Sequence, residues 1–337
     1  MIILENNTLK FRFPEVHEKA SCSIAFQRTL RIPDDGRDYP LPPGLGTFPL
    51  RHVDDYASRL PDAWHARGGV LAPMYQAEAM WINFSSDYPF AVKVATGKIC
   101  AITGDPWVDH LNREPQDYVV LPDQPWLDGY CIEKGVIRQF VAMPLGMDYT
   151  AEEQMTGKAI HGGLQLVAYP MKAKSYEKMM AERSMVFRSA SYSAACASAG
   201  YSVLGLTPMG LAPGGRMKQQ IYDDPKGLDA WDQRHGSRCF VSLVNTVQWM
   251  AITGERPPTE PPTARDYATR GLPWFDYYGA DAKAVDGSEK LRGLKSIAKK
   301  AEQTGQGPLP ENETFAVPHV VTLGDRRLVR ECAGELR

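Results

Sequence analysis

Cys131, His161 and Asp128 are the residues of this chain with which covalent chemistry could begin. In a cysteine and histidine pair the imidazole takes the thiol proton and holds the thiolate, and this needs spatial contact rather than a fixed spacing. His161 opens the Gly-rich run His161-Gly162-Gly163, and Asp128 lies three residues before the cysteine. The competing reading, favoured by the flanking Tyr130 and Ile132, is a buried cysteine acting as a small hydrophobe. A second set, Asp223, Asp224, Asp229, Asp232 and His235, gathers oxygen and nitrogen ligands of the kind a divalent ion takes. Asp229 and Asp232 would share a helical face, with His235 one turn on. The spacing matches no established ligand motif, and such runs commonly serve as solvated loops or helix N-terminal charges. Asp105, Asp109 and His110 form a weaker set, in which Asp105-Pro106 reads as turn initiation.

Gly210-Leu211-Ala212-Pro213-Gly214-Gly215-Arg216-Met217 has the glycine spacing of a phosphate-binding loop, where backbone N–H groups wrap an anion and a lysine reaches it. Arg216 stands in place of the lysine and Met217 in place of the magnesium-binding hydroxyl. The KQQIYDDP that follows is a poor helix start, so a glycine turn between two strands is expected instead. A basic stretch, Lys290 to Lys300, follows the aromatic Trp274-Phe275-Asp276-Tyr277-Tyr278; cations beside aromatics can track phosphates and stack bases. The alternative is a solvated helix face with the rings in the core. The tryptophans, Trp64, Trp81, Trp107, Trp126, Trp231, Trp249 and Trp274, mostly adjoin Pro, Asp or Gly in turns. There they can line a carbohydrate or partner surface, or cover the ends of a β-core.

The remaining signatures break. The seven histidines and six cysteines are scattered singly, without a C-x-x-C pair or metal-ligand spacing, and no G-x-S-x-G elbow is present. No catalytic, cofactor-binding or metal residue is therefore assigned, and no cofactor is expected.

The elements that would position these groups read mainly as strands. Ile24, Phe26, Leu30 and Ile32 alternate with polar positions, Arg28 being the one exception on the apolar face. Residues 2 to 13 read as a hairpin turning at Asn6-Asn7. Phe90 to Ala95 with Lys98 to Ile102, and Cys131-Ile132 with Val136 to Met143, read as two more. Proline-rich connections at 39–44 and 121–126 cannot continue a ladder. Thr150 and Glu153 have capping-box spacing for a short helix ending near Gly157, and Leu164, Leu166 and Ala168 resume the strand period. Residues 173–187 form a helical pattern. Ser189 to Gly200, almost all Ser, Ala, Cys or Gly, is the best domain boundary, either a closely packed helix or a linker. Beyond it, Arg238 to Asn245 reads as a strand, Thr246 to Thr253 as helical and Arg256 to Thr263 as an extended connector. Thr263 caps a short helix ended by Gly271. Ser288 to Gln303 reads as one helix with Leu291, Leu294, Ile297, Ala298 and Ala301 on a stripe. Val320 to Leu323 and Arg327 to Arg330 would close the chain as a hairpin.

The chain has 337 residues, 43% of them hydrophobic, which is enough for a large core. Its 38 basic residues face 40 acidic ones, which argues against a dedicated nucleic-acid binder. No run approaches the length of a membrane-spanning helix, and Met1 to Leu4 is too short for a signal peptide. A soluble, cytoplasmic protein with reduced cysteines is expected.

Three stretches, Gly135 to Gly146, Pro208 to Asp224 and Ile252 to Tyr278, resemble segments of bacterial hypothetical proteins with no assigned activity. The resemblance implies no mechanism. The expected fold is α+β and predominantly β, with sandwich- or barrel-like antiparallel sheets, a β-rich domain at 1–170 and an α+β portion at 171–337, or one continuous domain. The expected function is non-catalytic: a binding or self-associating scaffold whose partner is its own copy or another protein. The rival is an enzyme whose site assembles from distant loops, either a Cys/His hydrolase or transferase or a metal-dependent catalyst.

Overall fold

Seventeen of the strands join in a single, predominantly antiparallel sheet in the computed structural model, which describes residues 1–183, 208–277, 283–305 and 312–323. The sheet begins with the hairpin Ile2–Glu5 and Thr8–Arg12, whose tight turn places both Asn6 and Asn7 at positive φ (54° and 59°). Asparagine tolerates that region, and a turn with positive φ at both central residues matches the twist of paired strands. Thr8–Arg12 then pairs with Ser21–Thr29, which pairs with Ala79–Ser85. From there the ladder runs through Val136–Pro144 and Met209–Lys218 to Ser237–Asn245, Leu164–Pro170 and Phe90–Thr96. Strands from either side of residue 170 thus alternate in one sheet. It does not close into a barrel. Phe90–Thr96 and Leu164–Pro170 are buried along their whole length, so both faces of the sheet are covered there.

The expected hairpins form. Phe90–Thr96 returns as Ile99–Cys100 around Gly97 (φ 56°), and Gly129–Glu133 returns as Val136–Pro144 around Lys134-Gly135. The capping box at Thr150 and Glu153 opens Ala151–Thr156, which Gly157 ends in the left-handed region. Thr246–Thr253 carries a second capping box, Asn245 with Gln248, and Thr263 caps Ala264–Thr269. The helix expected at 173–187 is described as Ala173–Arg183. The boundary expected at 189–200 and the second strand of the last hairpin, 327–330, lie outside the described residues.

Two expectations are corrected. Gly210 to Met217 is neither a phosphate loop nor a turn: it lies inside the continuous strand Met209–Lys218. Its glycines permit close approach, because a Cβ at Gly215 would stand 2.2 Å from the Pro33 carbonyl oxygen, and one at Gly214 would stand 2.6 Å from the Val141 side chain. Ser288 to Gln303 is two helices, Glu289–Arg292 and Ile297–Gln303. Gly293 ends the first and the Ser296 hydroxyl caps the second, so a local competitor for backbone bonds splits a continuous apolar stripe. Val320–Leu323, expected as a strand, pairs in parallel with Trp274–Tyr277.

The main core fills the space between the long strands, while a smaller one holds Leu30, Ile32, Tyr39, Leu41, Ile137, Met217, Ala264 and Trp274. The stretches Gly135 to Gly146, Pro208 to Asp224 and Ile252 to Tyr278 all reach this second core, through Ile137, through Met217, and through Ala264 and Trp274. It fixes the proline-rich connection at 39–44 and the strand Trp274–Tyr277 against the sheet.

Candidate functional site

Where the smaller core meets the sheet, a pocket of about 310 Å³ opens among Leu41, Pro42, Pro43, Gly44, Trp81, Trp126, Asp128 and Phe275. Trp81 comes from Ala79–Ser85, in which Met80, Ile82 and Phe84 are buried; the indole therefore stands on the opposite face, in phase with Asn83 and Ser85. Trp126 is brought beside it because Trp126–Leu127 pairs with Asn83 and Ile82. The two indoles meet nearly edge to face, with centroids 6.2 Å apart and planes at 71°, forming a corner rather than a parallel sandwich.

The opposite wall is the proline-rich connection. Leu41 and Phe275 exchange backbone bonds in both directions, N to O distances being 2.8 and 2.9 Å, and the Thr29 hydroxyl donates to the Pro43 carbonyl at 2.9 Å. Gly44 passes close over the indole: a Cβ there would lie 3.4 Å from Trp81 Cζ2. Phe275 completes the wall from Trp274–Tyr277.

Among the described residues Asp128 is the single ionisable group in the lining, and it is 3% exposed. Its Oδ2 accepts from Gln219 Nε2 at 2.5 Å, while Gln219 Oε1 accepts from the Asp128 backbone N–H at 2.9 Å, so one glutamine side chain clamps the residue twice. The Trp126 side chain also bonds the carboxyl. Burial dominates over these bonds and pushes the Asp128 carboxyl up to about 7. Among the described residues, the buried indole N–H of Trp81 has no hydrogen-bond partner. An orphaned donor of this kind forfeits its solvation.

The other candidate residues are dispersed. Cys131 is buried in Gly129–Glu133, where desolvation pushes its thiol up to about 12, and the ionisable groups acting on it are Cys100 and Asp286. His161 sits among Glu152, Lys98 and Arg67, and burial lowers its pKa. Asp128 faces the aromatic pocket. The three therefore do not assemble into a triad. Of the acidic run, Asp224 is buried and accepts from the Tyr118 hydroxyl (2.6 Å) and the Trp231 indole (3.0 Å). Asp223 pairs with Arg113, and Asp232 contacts His235. Asp105 pairs with Lys290, Asp109 pairs with Arg238, and His110 gives its carbonyl to Lys93. Among the described residues no group of three or more His, Cys, Asp or Glu side chains is placed to hold a metal ion.

Much of the basic stretch is engaged internally: Lys290 with Asp105, Arg292 with Glu133 and Lys300 with Asp148, while Trp274 is fully buried. A larger cleft of about 870 Å³, lined by residues including Asp105, Arg113, Lys134, Asp223, Asp286 and Lys290, has no aromatic face. Two of its cations are already answered by its own acids, Lys290 by Asp105 and Arg113 by Asp223.

Trp81, Trp126 and Asp128 stand out in the sequence separately, with nothing there to join them to each other, to Gln219 or to the wall formed by Leu41 and Phe275. The available signal was Trp81 itself, a large aromatic in the polar phase of an otherwise alternating strand. No family model matches the chain, and neither a curated protein nor a solved structure matches it. Among the described residues no helix is long and apolar enough to cross a membrane.

Proposed function

We propose that this is a binding protein whose aromatic pocket receives a small organic molecule, without carrying out chemistry on it. The observation that carries this reading is the conjunction in one pocket of three aromatic side chains and a buried carboxyl. Pockets of this kind take ligands by shape and apolar contact, with a few polar groups fixing orientation. The lining offers no cysteine, serine, histidine or lysine to act as nucleophile or shuttle.

Native followed by denaturing mass spectrometry tests the reading. The wild-type protein is expected to carry a small extra mass that disappears on denaturation. Gly44→Leu, whose side chain would project over the Trp81 indole, is expected to be bare. A retained mass that persists unchanged in Gly44→Leu would refute the assignment to this pocket.

Self-association is the second reading. It is supported by Val247 and Met250, 75% and 49% exposed, which lie three residues apart on Thr246–Thr253 and so share a face. Light scattering after size-exclusion chromatography tests it: a multimer in the wild type should become a monomer in Val247→Asp, and a wild-type monomer would refute it.

A further inference from the structure

The charge pattern of the pocket narrows its ligand. The lining contains one ionisable group, the carboxyl of Asp128, and otherwise presents aromatic rings, two prolines, a leucine and a glycine. An anionic ligand would meet only an acid there. A sugar would require several polar side chains around its hydroxyls, and the lining supplies one carboxyl. A cation gains twice, because aromatic faces carry negative quadrupole density and a carboxyl lines the same pocket. Desolvation makes a lone carboxylate costly, and a positive charge entering the pocket offsets that cost.

Resting on the reading of the pocket as a binding site, we infer that its ligand is an organic cation of the quaternary or alkylated ammonium class, held against the indoles and answered by Asp128. Gln219 and Trp126 act as positioning residues, since both bond the carboxyl and aim it.

Choline and 3,3-dimethylbutan-1-ol test this pairwise: they share shape and hydroxyl group and differ in the positive charge. Calorimetric titration of the full chain at pH 8 should give choline an affinity at least about tenfold above that of the alcohol. Asp128→Asn should reduce the difference to within about threefold, and Gly44→Leu should abolish binding of both. The second variant lies at an exposed position and keeps the test decisive should Asp128→Asn fold poorly. Equal affinities, or tighter binding of the alcohol, would overturn the cation and leave the pocket standing as an apolar site. Binding of neither compound would also overturn the cation. The retained mass in wild type against Gly44→Leu decides the pocket itself.

Discussion

Replacing Asp128 by Asn should abolish a pH dependence of stability that the wild-type protein carries because its carboxyl is buried among aromatics. In the unfolded chain this carboxyl titrates near the ordinary aspartate value of about 3.9, whereas in the folded protein burial holds it at about 7. Between those values the folded state binds a proton that the unfolded state has released. Stability therefore falls as pH rises through that window and levels off above it. The roughly three-unit separation corresponds to about 4 kcal/mol over the whole window, of which about 3 kcal/mol falls between pH 5 and pH 8. Urea unfolding of both proteins at those two pH values isolates this term, because other titrating groups contribute to both alike. Wild type should lose about 3 kcal/mol relative to Asp128→Asn on going from pH 5 to pH 8. Parallel pH profiles for the two proteins would refute the reasoning, and with it the placement of a buried carboxyl without a countercharge in the pocket.

Two further predictions concern the body of the protein. Arg28 and Glu78 form a buried ion pair, with Nε to Oε1 at 2.7 Å and both residues under 10% exposed, so Glu78→Ala should cost about 3–5 kcal/mol. Arg28→Met/Glu78→Leu should regain much of that in denaturant titrations, and equal losses in the single and double variants would show that the pair is not the source. Cys131, buried and with its thiol pushed up to about 12, should react with iodoacetamide at neutral pH no faster than Cys239, which shares its burial and its shift. Selective fast alkylation of Cys131, read by peptide mass mapping, would revive the thiol enzyme.

What could be read from the sequence follows the range of the forces involved. Turns and caps are local, so Asn6-Asn7, Thr150 with Glu153, and Thr263 could be placed from a few neighbouring residues. Arg28 also showed itself, as the one charge on an apolar face, although its partner fifty positions away could not be named. The strand Met209–Lys218 was obscured because its glycines and proline suggest turns. They are accommodated instead by the close approach of Pro33 and by a register shift opposite Val136–Pro144. The break at Gly293 to Ser296 was hidden by an apolar period that continues across both helices. The pocket was beyond reach for a different reason: Leu41, Trp81, Trp126, Gln219 and Phe275 converge only through long-range pairing, and nothing in their spacing announces it.

The central claim is that the pocket between the two tryptophans and Phe275 binds ligands. Saturation-transfer NMR with a set of neutral and cationic fragments, run side by side on wild type and Gly44→Leu, tests it most directly. The account predicts transfer to fragments in the wild type, strongest for alkylated ammonium compounds, and its loss in the plugged variant. Equal transfer in both proteins would contradict it.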